Sequence, residues 1–100
     1  MTLTVLQTPT YARWFAGLRD ERAKARILAR IRRVSVGNFG DAKSVGEGVS
    51  ELRIDYGPGY RVYFTQRGAT LLLLLTGGDK SRQWADIAKA REIAAQWEGE

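Results

Sequence analysis

The sequence predicts an α+β domain with the element order β-α-α-β-β-β-α, and three observations lead to that prediction. Apolar and polar side chains alternate with period two in the stretch 49–65, as they do in half-buried strands. Apolar residues recur at helical spacing both before and after this stretch. This order favours an antiparallel sheet with helices packed on one face. The 100 residues contain no linker or internal repeat, so a single domain covering residues 1–100 is expected.

The first half of the chain is predicted to form a short strand and two helices. The strand is the apolar stretch 3–7. Thr8 is a candidate N-cap and Pro9 suits a first helical position, so the first helix begins there. Its aromatic face, expected to pack on the sheet, consists of Tyr11, Trp14, Phe15 and Leu18. The second helix begins at Asp20 and reaches about Val36, and its apolar stripe consists of Ala23, Ile27, Ile31 and Val34.

The second half is predicted to form three strands and a final helix. Residues 49–56 and 60–65 form a hairpin around Gly57, Pro58 and Gly59, which are strong turn formers. The leucine run 71–75 is apolar on both faces and suits a central strand. Ser81 is a candidate cap for a helix that reaches about residue 97, one side of which consists of Trp84, Ile87, Ala88 and Arg91. The glycine-rich segment 43–48 is interpreted as a flexible connection or an edge segment.

The composition excludes several kinds of chemistry. The chain contains no cysteine, which rules out disulfides, zinc–thiolate sites and a cysteine nucleophile. It also contains no histidine, so catalysis would depend on Lys, Arg, Tyr, Asp or Glu, and no metal or cofactor is expected. The net charge of +5 favours a polyanionic partner, either nucleic acid or an acidic protein. No signal peptide or membrane span is predicted, so a cytoplasmic location is expected.

A cluster of basic residues is predicted on the open face of the sheet. Strand alternation gives Arg53 and Arg61 the same orientation on neighbouring strands, with Tyr63 beside them. Lys80 follows the third strand, where a strand-to-helix turn can bring it to that face. Each residue also has a purely structural interpretation. The structural alternatives are pairing of Arg53 with Glu51 or Asp55, pairing of Arg61 with Asp79, a capping or solvated Lys80, and packing of Tyr63 at the sheet edge.

The second helix carries a run of basic residues, and two interpretations of it stay open. Such a run is most often a solvated helix face. Alternatively it holds RNA phosphates electrostatically without reading the sequence. The residues predicted to contact RNA in the second case are Arg26, Arg30, Arg33 and Lys43.

Several motifs, taken together in order and spacing, resemble a known family over nearly the whole chain. They are Gly37-Asn38-Phe39-Gly40-Asp41, the stretches 46–54 and 57–64, and Gly77-Gly78-Asp79-Lys80 followed by Gln83, Asp86 and Ile87. With them the chain resembles the RelE/ParE superfamily of toxins from type II toxin–antitoxin systems, in the HigB-like branch of addiction module killer proteins. The resemblance implies a RelE-like fold.

The resemblance also implies an endoribonuclease that cleaves mRNA, usually on the ribosome, and so inhibits translation. Its partners would be mRNA, the ribosome and a cognate antitoxin, which is often a helix-turn-helix protein. No membrane partner is expected. By this resemblance Arg61 and Arg53 would stabilise charge on the scissile phosphate, Lys80 would act as general acid or base, and Tyr63 would stack on a base or assist proton transfer. Better-known ribonucleases of the superfamily carry a catalytic tyrosine near the C-terminus, where this chain has Trp84 and Trp97.

Two other functions fit the same resemblance. ParE-like relatives inhibit DNA gyrase, and an inactive member would only bind its antitoxin. Arg53, Arg61 and Lys80 on one face favour the ribonuclease.

Overall fold

A computed structural model describes residues 2–97. Within that range the chain forms five strands and three helices in the order β-α-α-β-β-β-β-α. The strands are β1 (Thr4–Gln7), β2 (Ala42–Gly46), β3 (Val49–Ile54), β4 (Tyr60–Arg67) and β5 (Leu71–Asp79). The helices are α1 (Pro9–Ala16), α2 (Glu21–Ser35) and α3 (Gln83–Gln96), and a 3₁₀ turn (Lys80–Arg82) precedes α3. None of the helices in this part of the chain is long and apolar enough to cross a membrane.

The five strands form one mixed sheet in the order β1-β5-β4-β3-β2. The predicted α+β class is confirmed, but the prediction of an antiparallel sheet is wrong, because β1 pairs with β5 in parallel. The other three pairings are antiparallel. Strand β1 connects onward through helices instead of a hairpin, so no tight turn fixes its direction. Thr8 joins the start of α1 to β5. Its hydroxyl donates to the Leu75 carbonyl oxygen at 2.6 Å, and its Oγ1 accepts from the Tyr11 N–H at 3.1 Å.

The glycine-rich segment 43–48 belongs largely to β2, an additional edge strand that the predicted element order lacks. It pairs with β3, with Lys43 opposite Glu51. The hairpin between the two strands has positive φ at Gly46, Glu47 and Gly48. Glycine tolerates that backbone region without strain, which explains why this turn is glycine-rich. Of the two interpretations of this segment, the edge segment is the one confirmed.

Helices α1 and α2 cover one face of the sheet. The predicted stripe of α2 is buried there, and the sheet side of this core includes Leu52, Ile54, Val62 and Phe64, as the alternation in 49–65 requires. The predicted aromatic face of α1 also packs here. The predicted cap Thr8 is confirmed at the start of α1. Asp20, where the second helix was expected to begin, is its N-cap, and its side chain accepts from the Arg22 and Ala23 N–H groups.

Helix α3 covers the opposite face, so the prediction of a sheet with helices packed on one face holds for α1 and α2 but is wrong for α3. Ile87 and Ala90 pack against Tyr63, Leu73 and Leu75. The leucine run explains the difference, since a strand that is apolar on both sides needs cover on both sides. The prediction that Ser81 caps this helix is wrong. Ser81 lies in the 3₁₀ turn, where the Asp79 side chain accepts from the Ser81 N–H at 2.9 Å, and α3 itself begins without a side-chain cap. Of the residues predicted to share one side of α3, Ile87 is buried and Trp84 points to solvent.

A β-bulge interrupts the pairing of β4 with β5. Tyr63 pairs with Thr76 and Phe64 pairs with Leu74, so Leu75 is an extra residue in β5. Beyond the bulge the strand continues through two glycines that are covered by helices on opposite sides. A Cβ on Gly77 would lie 2.3 Å from the Trp14 ring of α1, and one on Gly78 would lie 2.0 Å from Asp86 Oδ2 of α3. Both helices therefore approach the backbone closely just before Lys80.

Candidate active site

Arg53, Arg61 and Lys80 line one groove of ≈ 250 Å³. Arg53 lies directly opposite Arg61 in the pairing of β3 with β4. Lys80 reaches the same groove because β5 ends beside β4, where Tyr60 pairs with Asp79. The remaining lining residues are Asp41, Ile54, Asp55, Gly59 and Tyr60. The structure thus brings together the three basic residues that the sequence predicts to meet.

The buried carboxylate of Glu51 fixes the position of Arg61. Its Nη1 donates to Glu51 Oε2 at 2.8 Å. Gln83 Nε2 at the start of α3 donates to the other oxygen, Oε1, at 2.9 Å. Glu51 is only 1% exposed and Arg61 8% exposed. The alternative pairing of Arg61 with Asp79 is therefore wrong, and the guanidinium is fixed in place by a partner that solvent scarcely reaches.

Arg61 has more N–H donors than the one that Glu51 accepts. Its Nε is buried without a hydrogen-bond partner among the described residues, so an incoming phosphate would have to bind the other N–H groups of the guanidinium. A guanidinium carries five N–H donors in a fixed planar arrangement, which suits bidentate binding of a phosphate. Glu51 balances the charge of Arg61 and Asp41 that of Arg53, and Asp55 also lines the groove, so Lys80 is the one of the three basic residues without an ion-pair partner among the described residues.

Arg53 makes a different and weaker kind of ion pair. Its Nη2 lies 2.9 Å from Asp41 Oδ1, and its Nε donates to the same oxygen at 3.1 Å. Pairing with Glu51 or Asp55, the two alternatives drawn from the sequence, is therefore wrong. About half of each side chain is open to solvent, and exposed pairs of this kind contribute about 0–1 kcal/mol. Arg53 can therefore exchange this carboxylate for an incoming phosphate at little cost.

Tyr63 does not line the groove. It is 0% exposed and packs in the core beneath α3, so its ring cannot stack on a base in this conformation. Packing is the observed role, but on the central strand β4 and not at the sheet edge as the structural alternative had it. Burial raises the pKa of the Tyr63 hydroxyl, and the negative charges of Glu51 and Asp86 raise it further. The hydroxyl makes no hydrogen bond to the described residues. The hydroxyl therefore stays protonated at neutral pH.

The basic residues of α2 that were predicted to contact RNA differ in how the fold uses them. The Arg26 guanidinium lies over the Tyr56 ring, with Cζ 4.7 Å from the ring centroid. Arg30 has a structural role that the sequence did not indicate, because Nη1 donates to the Arg53 carbonyl oxygen at 2.6 Å and Nη2 to that of Phe39 at 3.3 Å. Arg30 also lines a surface depression together with Arg26 and Arg33, so its contact with RNA stays a prediction. Arg26 and Arg33 are exposed, and they line a depression of ≈ 270 Å³ that includes Asp55 and so borders the groove. Lys43 is exposed on edge strand β2.

Sequence reasoning missed Glu51 and Gln83 as parts of the site. Glu51 lies two residues before Arg53 and opposite Tyr63, so strand alternation already places it on the face of the basic cluster. An acidic residue in an otherwise half-buried strand was the available signal. Gln83 could not be found in this way, because its position depends on how α3 packs.

A larger depression of ≈ 530 Å³ lies at β5 between α1 and α3. It contains Arg13, Arg82 and Lys89 together with Asp79 and Asp86, and none of the three predicted basic residues of the groove. We assign the candidate site to the smaller groove, because only there are arginines of neighbouring strands fixed side by side. No group of three acidic side chains suited to a metal ion occurs among residues 2–97.

Comparison with known proteins places the chain in a family. It is 50% identical to an uncharacterized protein of Haemophilus influenzae over 96 residues, which cover 96% of this chain and 97% of that protein. The chain therefore belongs to the same family as the Haemophilus influenzae protein. No protein-family model matches the chain.

Proposed function

We propose that the protein is the toxin of a type II toxin–antitoxin pair, with a RelE-like fold and the activity of a metal-independent endoribonuclease that cleaves mRNA. The observation that carries the proposal is the groove in which Arg53 and Lys80 flank Arg61, itself held by the buried Glu51. The motif resemblance to the RelE/ParE superfamily supports the same assignment. The proposed partners are mRNA on the ribosome and a helix-turn-helix antitoxin, and the proposed location is the cytoplasm.

The groove contains groups suited to each part of RNA cleavage by the 2′-hydroxyl. In that reaction the 2′ oxygen attacks phosphorus, the bond to the 5′ oxygen breaks, and a 2′,3′-cyclic phosphate and a 5′-hydroxyl form. Arg61 and Arg53 are placed to stabilise the charge that develops on the phosphate oxygens. Lys80 is exposed beside them and can transfer a proton to the leaving 5′ oxygen or from the 2′-hydroxyl.

Fixed geometry favours Arg61 as the main phosphate contact. Preorganised donors stabilise a transition state without reorganising during the reaction. The hydrogen bonds from Arg61 and Gln83 to Glu51 provide that rigidity on the protein side. Arg53 is held less firmly, so its part is to bind the incoming phosphate and strengthen the field around it.

Primer extension on a reporter mRNA tests the activity directly. The purified protein is incubated with the mRNA, with and without translating ribosomes. New 5′ ends that appear only with ribosomes, in phase with codons, are the expected result. Cuts in naked RNA would keep the ribonuclease and remove the ribosome requirement.

Lys80→Ala is the sharpest variant, because Lys80 is exposed and its loss leaves the buried pair intact. Loss of a proton-transfer group is expected to slow cleavage about 10²- to 10⁴-fold. Lys89→Ala is the matched control, since Lys89 is an exposed lysine of α3 outside the groove. Lys80→Arg keeps the charge but transfers protons poorly, so it separates electrostatic from acid–base roles.

Equal activity of Lys80→Ala and the control would refute the assignment of Lys80. A folded protein that stops growth without cutting RNA would refute the ribonuclease and point instead to inhibition of DNA gyrase. A folded protein that neither cuts RNA nor stops growth, yet binds an antitoxin, would be the inactive member.

A further inference from the structure

We propose that Trp84 is a stacking platform for a nucleobase of bound single-stranded RNA, immediately beside the groove; this inference rests on the proposed ribonuclease function. Trp84 is 85% exposed, more than any other large hydrophobic residue that the structure describes. It lies in the first turn of α3, which follows directly on the turn that contains Lys80.

The fold makes no use of the Trp84 ring. Helix α3 packs on the sheet through Ile87 and Ala90, and Trp84 falls outside that buried face. Its neighbours on the exposed surface, Ala85 and Ala88, are too small to cover an indole. The aromatic pairs among the described residues involve other rings, and so do the cation–π contacts. A large aromatic side chain is thus held in water on a rigid helix with no structural partner.

The surroundings of Trp84 match nucleic acid in charge. A depression of ≈ 330 Å³ contains Trp84 with Lys80 and Arg82, and Lys80 also lines the groove. An RNA strand with a phosphate bound at Arg61 and Lys80 therefore continues toward the indole of Trp84. Base–aromatic stacking beside a positively charged surface is the usual way in which proteins bind single strands without reading sequence.

A protein partner fits the same surface less well. Exposed anchors at protein interfaces lie within patches of further apolar side chains. The other residues of this depression are Ser81, Gln83 and Ala85, together with the two cations. One aromatic ring among polar and basic groups suits a base with its phosphate better than a hydrophobic protein surface.

The test measures binding of the purified protein to an RNA oligonucleotide with 2′-O-methyl groups throughout, which cannot be cleaved. Trp84→Ala is expected to bind about 5- to 150-fold more weakly, the range typical for loss of one base stack. Trp84→Phe should retain most of the affinity, because it keeps an aromatic face. Val36→Ala is the control, since Val36 is an exposed apolar residue outside the groove and the depression.

A scan with single abasic sites identifies the stacked nucleotide. One position should weaken binding to the wild type by about as much as Trp84→Ala does. The same abasic position should have little further effect on Trp84→Ala, because the stack is already absent. In ribosome-free or ribosome-dependent cleavage, whichever the wild type supports, the variant should raise KM and leave kcat nearly unchanged, since Trp84 lies outside the reacting groups.

The outcomes separate this inference from the proposed function. Cleavage by the wild type together with unchanged RNA binding by Trp84→Ala would overturn the stacking role and leave the ribonuclease standing. Weaker binding of Trp84→Ala to the antitoxin, with RNA binding unchanged, would assign the surface to a protein instead. A wild type that neither binds nor cleaves RNA would overturn both proposals.

Discussion

Removing either partner of the Glu51–Arg61 pair should destabilise the fold far more than a surface ion pair would. Arg61→Met leaves the Glu51 carboxylate 1% exposed with only Gln83 as a donor, and Glu51→Met leaves a buried guanidinium. Breaking a buried pair from one side typically costs about 3–5 kcal/mol. Domains of this kind have a total stability of about 5–15 kcal/mol, so either single variant approaches the limit of folding.

The double variant Glu51→Met/Arg61→Met should recover much of that loss. Replacing both members of a buried pair by apolar residues of similar volume is often neutral or stabilising. Gln83 is only partly buried, so its amide can turn to water when its acceptor is gone. The coupling energy between the two substitutions should therefore be about 3 kcal/mol or more.

Urea denaturation followed by circular dichroism measures all three variants. Arg53→Met is the matched control, because it breaks an exposed pair and should cost no more than about 1 kcal/mol. Two results would refute the conclusion that the pair is shielded from water. One is a loss of unfolding free energy in the double variant equal to the sum of the single losses. The other is a cost of Arg61→Met as small as that of the control. The expected large cost of losing Arg61 also makes Arg61→Ala a poor probe of activity, because loss of function and loss of fold would coincide.

Three further predictions concern the framework around the site. Thr8→Val removes both the cap of α1 and the hydroxyl donor to the Leu75 carbonyl, and should cost about 2–3 kcal/mol in urea denaturation. Gly77→Ala places a methyl group against the Trp14 ring and should cost about 1–3 kcal/mol, with partial recovery when Trp14→Leu is added. Asp86→Asn should stabilise the protein at pH 7, because burial raises the pKa of the Asp86 carboxyl, so its ionisation as pH rises disfavours the folded state. That advantage should shrink as pH falls toward 3.8, the ordinary value, and a pH-independent difference would contradict it.

The local parts of the fold and site are predictable from the sequence, because neighbouring residues determine them. Thr8 and Pro9 signal the start of α1 by their own chemistry. Gly57, Pro58 and Gly59 fix the hairpin between β3 and β4, and strand alternation then requires Arg53 and Arg61 to share a face. The most informative part of the site prediction, the pairing of the two arginines, follows from that turn and that period alone.

The parts that depend on distant packing are not predictable in this way. The direction of β1 depends on its partner β5 at the other end of the chain. Helix α3 is rich in alanine, so its sequence does not mark a single apolar face or show whether Trp84 is buried or exposed. Tyr63 points to the same side of β4 as Arg61. Helix α3 covers Tyr63 and leaves Arg61 at the edge of the groove. Which residues a helix covers is decided by packing and not by period.

The extra residue at Leu75 has a consequence for the way relatives are aligned. Before the bulge, the side chains of Leu72 and Leu74 face α1 and α2. After it Gly77 faces them, so even-numbered residues lie on that side before the extra residue and odd-numbered residues after it. In a relative that lacks the residue at position 75, each later residue of the strand would keep its side of the sheet, and the counterpart of Lys80 would still reach the groove. A one-residue gap elsewhere in β5 would reverse the sides of the residues that follow. Gap placement in this strand therefore distinguishes relatives that retain the groove from those that have lost it.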